Sequence, residues 1–410
     1  MELPLPPLRP GASGATILSA EGRGCGSRAR PDADHSAHAR QRPPMSDTRW
    51  PESWAPYLTW AKHHPSAKHD LCGSNLLELT LDELKGARES LEITGKNDEG
   101  YPPLLEAIAM RYGVATERVA TATGATGAAF LALGALIRPG DRVLVEFPAY
   151  DPLVGAARFL GADVRMIDRS WDDGWKVNLD QLAREITPST RVVILTNLHN
   201  PTGVYTDPWL LVAIGELADA VGAKVLVDEV YLETLTNRDT TPAATRSDTF
   251  VSVSSLTKAF GLAGLRLGWV LADPATIERV RRVRDVVEAV GSVPSERLGV
   301  VAFENIDLLL ARARHIIEPH LLMLRRFVET RSELDWVAPA GGTIAFPRLV
   351  DTDDAGPFVE FARERFGVGV VPGRYFGSPA HFRIAVGGRR RAVEEGIQAL
   401  GNALDAWYRR

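Results

Sequence analysis

Lys258 is the first residue whose type and setting suggest chemistry. Only seven of the 47 lysine and arginine residues are lysine, and Lys258 lies among small and apolar residues with three glycines close by. An amine that is kept out of water loses its proton more easily, and a neutral lysine is a nucleophile that can form a Schiff base. The alternative is a solvated lysine in a glycine-rich loop. The residues around it in the predicted fold favour the nucleophile.

Three polar residues follow predicted strands. Asn200, Asp228 and Lys258 each come shortly after a run of apolar residues that is typical of a buried strand. Because ligands bind beyond the carboxyl ends of the strands in open α/β sheets, these side chains are expected to share one site. A Schiff base lysine calls for an aldehyde cofactor, and pyridoxal phosphate (PLP) fits, since its ring nitrogen needs a carboxylate that keeps it protonated. Asp228 could supply that carboxylate; a turn or helix cap is the alternative.

A phosphate group would need backbone donors and a fixed positive charge. Gly124, Ala125 and Thr126 begin an alanine-rich run, which predicts a helix N-terminus that an anion can approach. Ser255 and Arg266 can add a hydroxyl and a bidentate guanidinium. Each feature is common on its own, so their joint occurrence carries the prediction.

The order and spacing of these residues resemble the class I/II aminotransferases, which are fold-type I PLP enzymes. The resemblance covers roughly residues 70–400. The motifs that carry it are Asn200-Pro201-Thr202-Gly203, Asp228-x-x-Tyr231, Ser255-x-x-Lys258, and Arg266 eight residues after Lys258.

The resemblance implies a role for each matched residue. Lys258 would form the Schiff base, Asp228 would pair with the pyridine nitrogen, and Asn200 and Tyr231 would hydrogen-bond the phenolic oxygen of PLP. Lys258, Asp228 and Tyr231 are therefore the candidate catalytic residues. The phosphate would be held by Gly124, Ala125, Thr126, Ser255 and Arg266.

Three more residues match the family. Tyr150 resembles the aromatic residue that stacks on the cofactor ring, with an ordinary core position as the alternative. Arg383 interrupts an apolar strand, and the resemblance implies that it binds the substrate carboxylate together with Asn200; an outward-facing arginine is the alternative. Gly73 stands where the family often has a small-residue loop over the substrate. The histidines show no metal-ligand spacing, so no metal site is expected.

The elements that must position these residues alternate between strands and helices. Continuous apolar runs such as 192–195 suit a sheet that is covered on both faces, which predicts an α/β fold with a mostly parallel central sheet. After about residue 290 the order changes, which predicts a smaller α+β domain. We therefore expect a large PLP-binding domain over 91–290 and a small domain made of 46–90 and 291–410. The predicted strands are 142–147, 191–196, 224–227, 249–253, 265–271, 341–346 and 382–386, and the predicted helices are 104–112, 125–137, 179–186, 208–221, 275–290 and 300–330.

Composition bounds the function further. The chain has 410 residues, of which 45% are hydrophobic and 24% charged, with a net charge of −5. This mild acidity argues against a nucleic-acid binder, and no apolar run has the roughly twenty residues of a membrane helix. Cys25 and Cys72 are too few for a disulfide framework or a cysteine-based zinc site, which favours a cytoplasmic location.

Residues 1–44 differ from the rest of the chain. They contain seven prolines and no Lys, Val, Phe, Tyr or Trp. Such a segment buries too little apolar surface to offset the entropy of ordering, so a disordered extension is predicted. Translation from Met45 is the favoured explanation and a transit peptide the alternative.

Our functional hypothesis is a PLP-dependent aminotransferase that moves an amino group between an α-amino acid and a 2-oxo acid, as a homodimer. A PLP-dependent lyase or cyclase on the same fold would use every motif equally well. A PLP-sensing regulator is a remote alternative, because residues 1–44 lack the helical periodicity of a DNA-binding module. The family often contributes a tyrosine from the neighbouring subunit to the phosphate, just before a glycine. Here Tyr101 follows Gly100 instead, which leaves that contact open.

Overall fold

A seven-stranded sheet lies at the centre of the fold. The structure is a computed structural model that describes Pro51 and residues 53–410, so the predicted disorder of 1–44 lies outside the described residues. The strands, numbered along the chain, are β1 (His69–Asp70), β2 (Val119–Thr123), β3 (Arg142–Phe147), β4 (Asp163–Asp168), β5 (Thr190–Thr196), β6 (Lys224–Asp228), β7 (Phe250–Ser255), β8 (Leu267–Leu271), β9 (Leu334–Asp335), β10 (Ile344–Ala345), β11 (Arg348–Leu349), β12 (Val368–Gly369), β13 (Val371–Pro372) and β14 (Phe382–Ala385).

The order of strands across the large sheet is β2-β8-β7-β6-β5-β3-β4. Strands β3 to β7 are parallel to one another, and β8 runs antiparallel to β2 and β7. The predicted α/β fold with a mostly parallel sheet is therefore confirmed. Because β5, β6 and β7 are parallel neighbours, their carboxyl ends meet at one edge of the sheet.

Both faces of the sheet are covered by apolar side chains. Along β5, Val192 and Ile194 belong to one buried cluster, whereas Val193 and Leu195 belong to another. Side chains alternate between the faces of a strand, so a continuous apolar run is what a doubly covered strand requires.

Helices pack on both sides of this sheet and around the smaller sheets. None of the described helices combines the length and the apolar character that a transmembrane span requires. The helices are α1 (Pro56–His63), α2 (Ala87–Ser90), α3 (Pro102–Tyr112), α4 (Gly124–Leu136), α5 (Asp151–Phe159), α6 (Leu179–Glu185), α7 (Pro208–Asp219), α8 (Pro274–Val287), α9 (Val293–Glu304), α10 (Ile306–Glu329), α11 (Gly356–Phe366) and α12 (Arg390–Trp407).

The long helix predicted over 300–330 is instead two helices, α9 and α10. They are separated at Asn305, whose backbone has φ −108° and ψ 14°. The Asn305 side chain donates hydrogen bonds to the carbonyls of Val301 at 2.8 Å and Lys85 at 3.3 Å. An asparagine that bonds nearby backbone in this way competes with the helical pattern, and apolar periodicity does not reveal it.

Shorter sheets lie outside the large one. Strands β10, β14 and β13 form an antiparallel sheet, β1 pairs with β12, and β9 pairs with β11. Strand β1 is distant in sequence from its partner, which brings the segment before residue 90 together with the C-terminal part of the chain. Residues 51–410 form one compact unit, and the boundaries at 90/91 and 290/291 between a large and a small domain stay a prediction.

Candidate active site

The ends of β5, β6 and β7 bring the predicted polar residues together. Thr196 pairs with Asp228 across β5 and β6, and Asp228 pairs with Val253 across β6 and β7. Asn200 follows β5 by four residues, and Lys258 follows β7 by three. The sheet register thus places these residues at the edge where the sequence predicted a ligand site.

The Lys258 amine lies at a cavity of about 380 Å³. Its Nζ donates to the Ser74 hydroxyl at 2.7 Å and to Oδ1 of Asn75 at 2.8 Å. Burial lowers the pKa of Lys258 to about 7, with help from the charges of Arg383 and Arg266 and against that of Asp228. A substantial share of the amine is therefore neutral near pH 7, as a nucleophile requires.

Asp228 is buried at the end of β6, and few donors hydrogen-bond to its carboxylate. Its Oδ1 accepts a hydrogen bond from the Val230 amide at 3.2 Å. Burial raises the pKa of Asp228 to about 6, and the nearby Glu146 carboxylate adds to this, whereas the Val230 bond and the Lys258 charge oppose it. A positively charged ring nitrogen beside Asp228 would stabilise the ionised form of its carboxylate.

Two tyrosines lie near Asp228 and Lys258. The Tyr231 hydroxyl is buried, and within the described part of the chain it makes no hydrogen bond of normal geometry. Burial raises the pKa of Tyr231 to about 12, opposed by Arg383 and by the approach of the Ser74 hydroxyl. Tyr150 lines the cavity with Lys258, and its ring meets the Tyr57 ring edge-on at 6.1 Å.

Two of the predicted phosphate residues, Gly124 and Arg266, lie close together. Helix α4 begins at Gly124 with no capping side chain and no acidic residue in its first turn, which includes Ala125 and Thr126. Gly124 has φ +71°, and a Cβ there would lie 2.6 Å from Nη2 of Arg266. The positive φ favours glycine at this position. The N–H groups of the first turn of a helix have no partner within the helix, and together with a guanidinium they can bind an anion. Ser255, also predicted for this group, is buried at the end of β7, where its hydroxyl accepts from the Thr257 amide at 3.3 Å.

Arg383 is fully buried, so the outward-facing alternative is wrong. Its guanidinium donates to the Tyr57 hydroxyl, to the Cys72 carbonyl at 3.3 Å and to Oδ1 of Asn200 at 3.2 Å. It also lies over the rings of Tyr57 and Phe376, 4.7 and 4.9 Å from their centres. Its Nε has no partner among the described residues, which leaves donor capacity for a ligand.

Asn200 is held from behind by residues that the sequence reading missed. Its backbone N–H donates to the Thr196 hydroxyl at 2.9 Å, and this hydroxyl in turn donates to Oε1 of Glu146 at 2.6 Å. Glu146 pairs with Arg169 at 2.5 Å, and both side chains are buried. The ion pair thus fixes the loop that carries Asn200.

His199, the residue before Asn200, has a packing role in this loop. It is completely buried; Nε2 donates to the Pro148 carbonyl at 2.8 Å, and Nδ1 accepts from the Thr202 hydroxyl at 2.7 Å. Burial lowers the pKa of His199 well below its usual range, so the ring stays neutral.

The cavity also shows what the sequence reading overlooked. Gly73 lines it, as predicted, and is exposed with open space beside its α carbon. Tyr57 and Asp70 line it too, although no motif pointed to either. The only signal for Ser74 and Asn75 was their position next to Gly73.

The residues present fit PLP. The phenolic oxygen, the ring nitrogen and the phosphate each find a suitable group: a buried tyrosine hydroxyl that makes no hydrogen bond of normal geometry among the described residues, a buried carboxylate with a raised pKa, and a helix start at Gly124 beside an arginine. Together with the amine of Lys258 and the doubly covered parallel sheet, they define a PLP enzyme of fold-type I.

Comparison with known proteins agrees with this class. Residues 71–400 match the family model described as "Aminotransferase class I and II", so the chain belongs to that family. It is 32% identical over 368 residues to capreomycidine synthase from Streptomyces vinaceus, covering 85% of this chain and 93% of that protein.

Two solved structures extend the comparison. A PLP-dependent aminotransferase from Streptococcus suis superposes with a TM-score of 0.81 at 28% identity, covering 87% of this chain and 98% of the other. The PLP-dependent cyclase OrfR gives a TM-score of 0.79 at 29% identity, covering 90% and 100%. These findings confirm the predicted family, the aminotransferase assignment and PLP as the cofactor.

Proposed function

We propose that this enzyme transfers the amino group of an α-amino acid to a 2-oxo acid, with Lys258 as its catalytic lysine. The observation that carries the proposal is that Lys258 lines the cavity and that its amine has a pKa of about 7. When bound, PLP supplies an electron sink for the pair released at the α carbon of the amino acid. The chain's own residues supply the binding, the orientation and the proton transfer.

We assign the cofactor contacts as the family resemblance implies. Asp228 would hold the ring nitrogen in its protonated form, and Tyr231, whose hydroxyl has no partner of normal geometry among the described residues, would donate to the phenolic oxygen. The Oδ1 of Asn200 is engaged by Arg383, so the side-chain nitrogen of Asn200 is the atom that could donate to the same oxygen. Tyr150 would pack against the ring. The phosphate would be held by Gly124, Ala125, Thr126, Ser255 and Arg266.

Two residues act on the substrate. Arg383 would bind the α-carboxylate, since it is a buried guanidinium whose Nε has no partner among the described residues. Lys258 would take the proton from the α carbon as a general base and then, as a general acid, deliver it to the carbon of the cofactor that carries the amino group; a group with a pKa near 7 does both efficiently at neutral pH. Gly73, beside Ser74, lets the loop at the cavity rim approach the substrate.

A single-turnover experiment tests this function. The PLP-loaded enzyme is mixed with each amino acid in turn, without an amino acceptor, and the released 2-oxo acid is measured. We expect one 2-oxo acid per active site, and continued turnover only after a second 2-oxo acid is added. Repeated turnover without any acceptor would contradict transamination.

Ring closure is the second candidate, favoured by the likeness to the cyclase OrfR. The same experiment separates the two reactions. A cyclase forms its product repeatedly without an acceptor and keeps the nitrogen in the product, whereas a lyase releases ammonia and a 2-oxo acid such as pyruvate.

We further propose a homodimer, on the basis of one apolar surface. Ile93, Val286 and Val287 are 79%, 88% and 52% exposed. The segments that carry them adjoin, because the Asn97 side chain donates to the Gly291 carbonyl at 2.7 Å. Exposed apolar residues on adjoining segments are a candidate interface.

We expect the double variant Ile93→Lys/Val286→Lys to sediment as a monomer, because two desolvated lysines would oppose the interface. Sedimentation velocity measures the mass, and Val212→Lys, on the exposed side of α7, is the control that stays dimeric. A double variant with the wild-type mass would place the interface elsewhere. The cytoplasmic location and the absence of nucleic-acid partners stay predictions.

A further inference from the structure

A second cluster of reactive side chains lies next to the active site. His64 follows α1 directly, Asp70 ends β1, and Cys72 comes two residues later. One potential ligand atom from each of the three residues lies within 4.8 Å of those of the other two. The proposed amino transfer uses none of these side chains.

The imidazole of His64 is oriented so that its Nε2 can bind a ligand. Its Nδ1 lies 3.3 Å from the Trp60 carbonyl, and the Trp60 ring stacks on it with 4.1 Å between centres. Its Nε2 is buried and has no hydrogen-bond partner within residues 53–410. A histidine whose one N–H is held by a backbone carbonyl presents the lone pair of its other nitrogen, which is the usual arrangement of a metal ligand.

The carboxylate of Asp70 is held next to the residue that bears the thiol. The Cys72 amide donates to Oδ1 of Asp70 at 2.8 Å, and the Cys72 side chain is buried. A Cβ on Gly369 would lie 3.2 Å from Sγ of Cys72 and 3.7 Å from Oδ1 of Asp70. Glycine at this position therefore keeps a side chain from crowding the thiol.

The cluster is reached from solvent. A cavity of about 510 Å³ is lined by His64, Cys72 and Gly369. An ion can therefore reach the thiol without passing the Lys258 amine.

We propose that His64, Asp70 and Cys72 bind a zinc ion through Nε2, a carboxylate oxygen and the thiolate. A nitrogen, an oxygen and a sulfur ligand suit Zn²⁺, and a water completes four-coordination. Zinc bonds of roughly 2.0–2.3 Å place neighbouring ligand atoms about 3.3–3.8 Å apart, so the three side chains need to close by at most about 1–1.5 Å on binding. The thiol proton is released to solvent as the Zn–S bond forms.

The position of the site gives it a consequence beyond amino transfer. The Cys72 carbonyl accepts a hydrogen bond from Arg383. Ser74 and Asn75, two and three residues further on, accept hydrogen bonds from the Lys258 amine. Zinc at Cys72 would therefore fix the segment that borders the substrate. The spacing His-x5-Asp-x-Cys matches none of the zinc patterns that short ligand spacings reveal, which is why the sequence reading expected no metal.

The test uses the PLP-loaded full chain in a Cys25→Ser background, so that Cys72 is the only cysteine. Co²⁺ serves as the spectroscopic probe, and Zn²⁺ affinity is measured by calorimetry. We expect one Co²⁺ per chain with a thiolate-to-cobalt charge-transfer band, which Cys72→Ser abolishes. Zinc affinity should fall by about 100-fold or more in Cys72→Ser and at least about 10-fold in His64→Gln and Asp70→Asn.

His63→Gln is the matched control, because this exposed neighbour lies outside the cluster and should leave both readouts unchanged. The absence of the charge-transfer band overturns the proposal, as does wild-type zinc affinity in Cys72→Ser and His64→Gln. If Cys72→Ser does not fold, the band in the parent together with His64→Gln and Asp70→Asn decides the question.

Discussion

The variant Lys258→Arg is expected to lose the absorbance that the PLP-loaded wild type shows in the visible range and loses on treatment with borohydride. Arginine keeps a positive charge at the position but has no primary amine that can bond to an aldehyde. Loss of the proton-transfer group should also lower kcat by about 10²–10⁴-fold. Absorbance spectra before and after borohydride, with steady-state kinetics, measure both effects.

The pH dependence provides an independent check on Lys258. Its pKa is lowered to about 7, so the neutral fraction rises as the pH increases through 7. The rate at which PLP binds the apoenzyme covalently should rise over the same range. Below about pH 6 the free Asp228 carboxyl takes up a proton, and PLP affinity should fall.

The control for the Lys258→Arg prediction is Lys176→Arg, since Lys176 is an exposed lysine. It should keep the spectrum, the pH profile and the rate of the wild type. A Lys258→Arg enzyme with an unchanged borohydride-sensitive band would mean that another amine bonds the cofactor.

The variant Arg383→Lys is expected to bind PLP normally but to lose affinity for carboxylate substrates. A lysine cannot reproduce the two parallel bonds that a guanidinium makes with a carboxylate. Charge-assisted hydrogen bonds are worth roughly 1.5–3 kcal/mol, which corresponds to a fall in kcat/KM of about 10–150-fold. Titration with a 2-oxo acid, followed through the cofactor absorbance, should show a weaker Kd by a similar factor.

The unchanged absorbance of Arg383→Lys without substrate is the internal control, because it shows that the cofactor site is intact. Arg374→Lys, at an exposed arginine nearby in sequence, should keep the wild-type Kd. If Arg383→Lys binds 2-oxo acids as tightly as the wild type, the carboxylate lies elsewhere.

The parts of the site that the sequence predicts are those held by local geometry. Asp228 and Lys258 could be placed because each follows a strand, and parallel neighbouring strands end at the same edge of a sheet. Gly124 could be placed because a glycine before a helix serves a close approach, which here is that of Arg266. The positions of these three residues follow from the alternation of strands and helices, whereas their roles come from the family resemblance.

The parts that the sequence reading missed depend on contacts between distant segments. Tyr57 meets Arg383 across 326 residues, and Ser74 meets Lys258 across 184. Such pairs follow from the way α1 and the loop after β1 pack on the rest of the chain, which periodicity does not encode. The buried Glu146–Arg169 pair was missed for the same reason, since two charged residues in a strand and after a strand predict solvent exposure.

The location of the covalent bond to PLP decides whether Lys258 is the catalytic lysine. The loaded enzyme is reduced with borohydride and digested, and the modified peptide is identified by mass spectrometry. We expect one adduct per chain, on Lys258, with the other six lysines unmodified. A stoichiometric adduct on any other lysine, or none, would contradict this assignment.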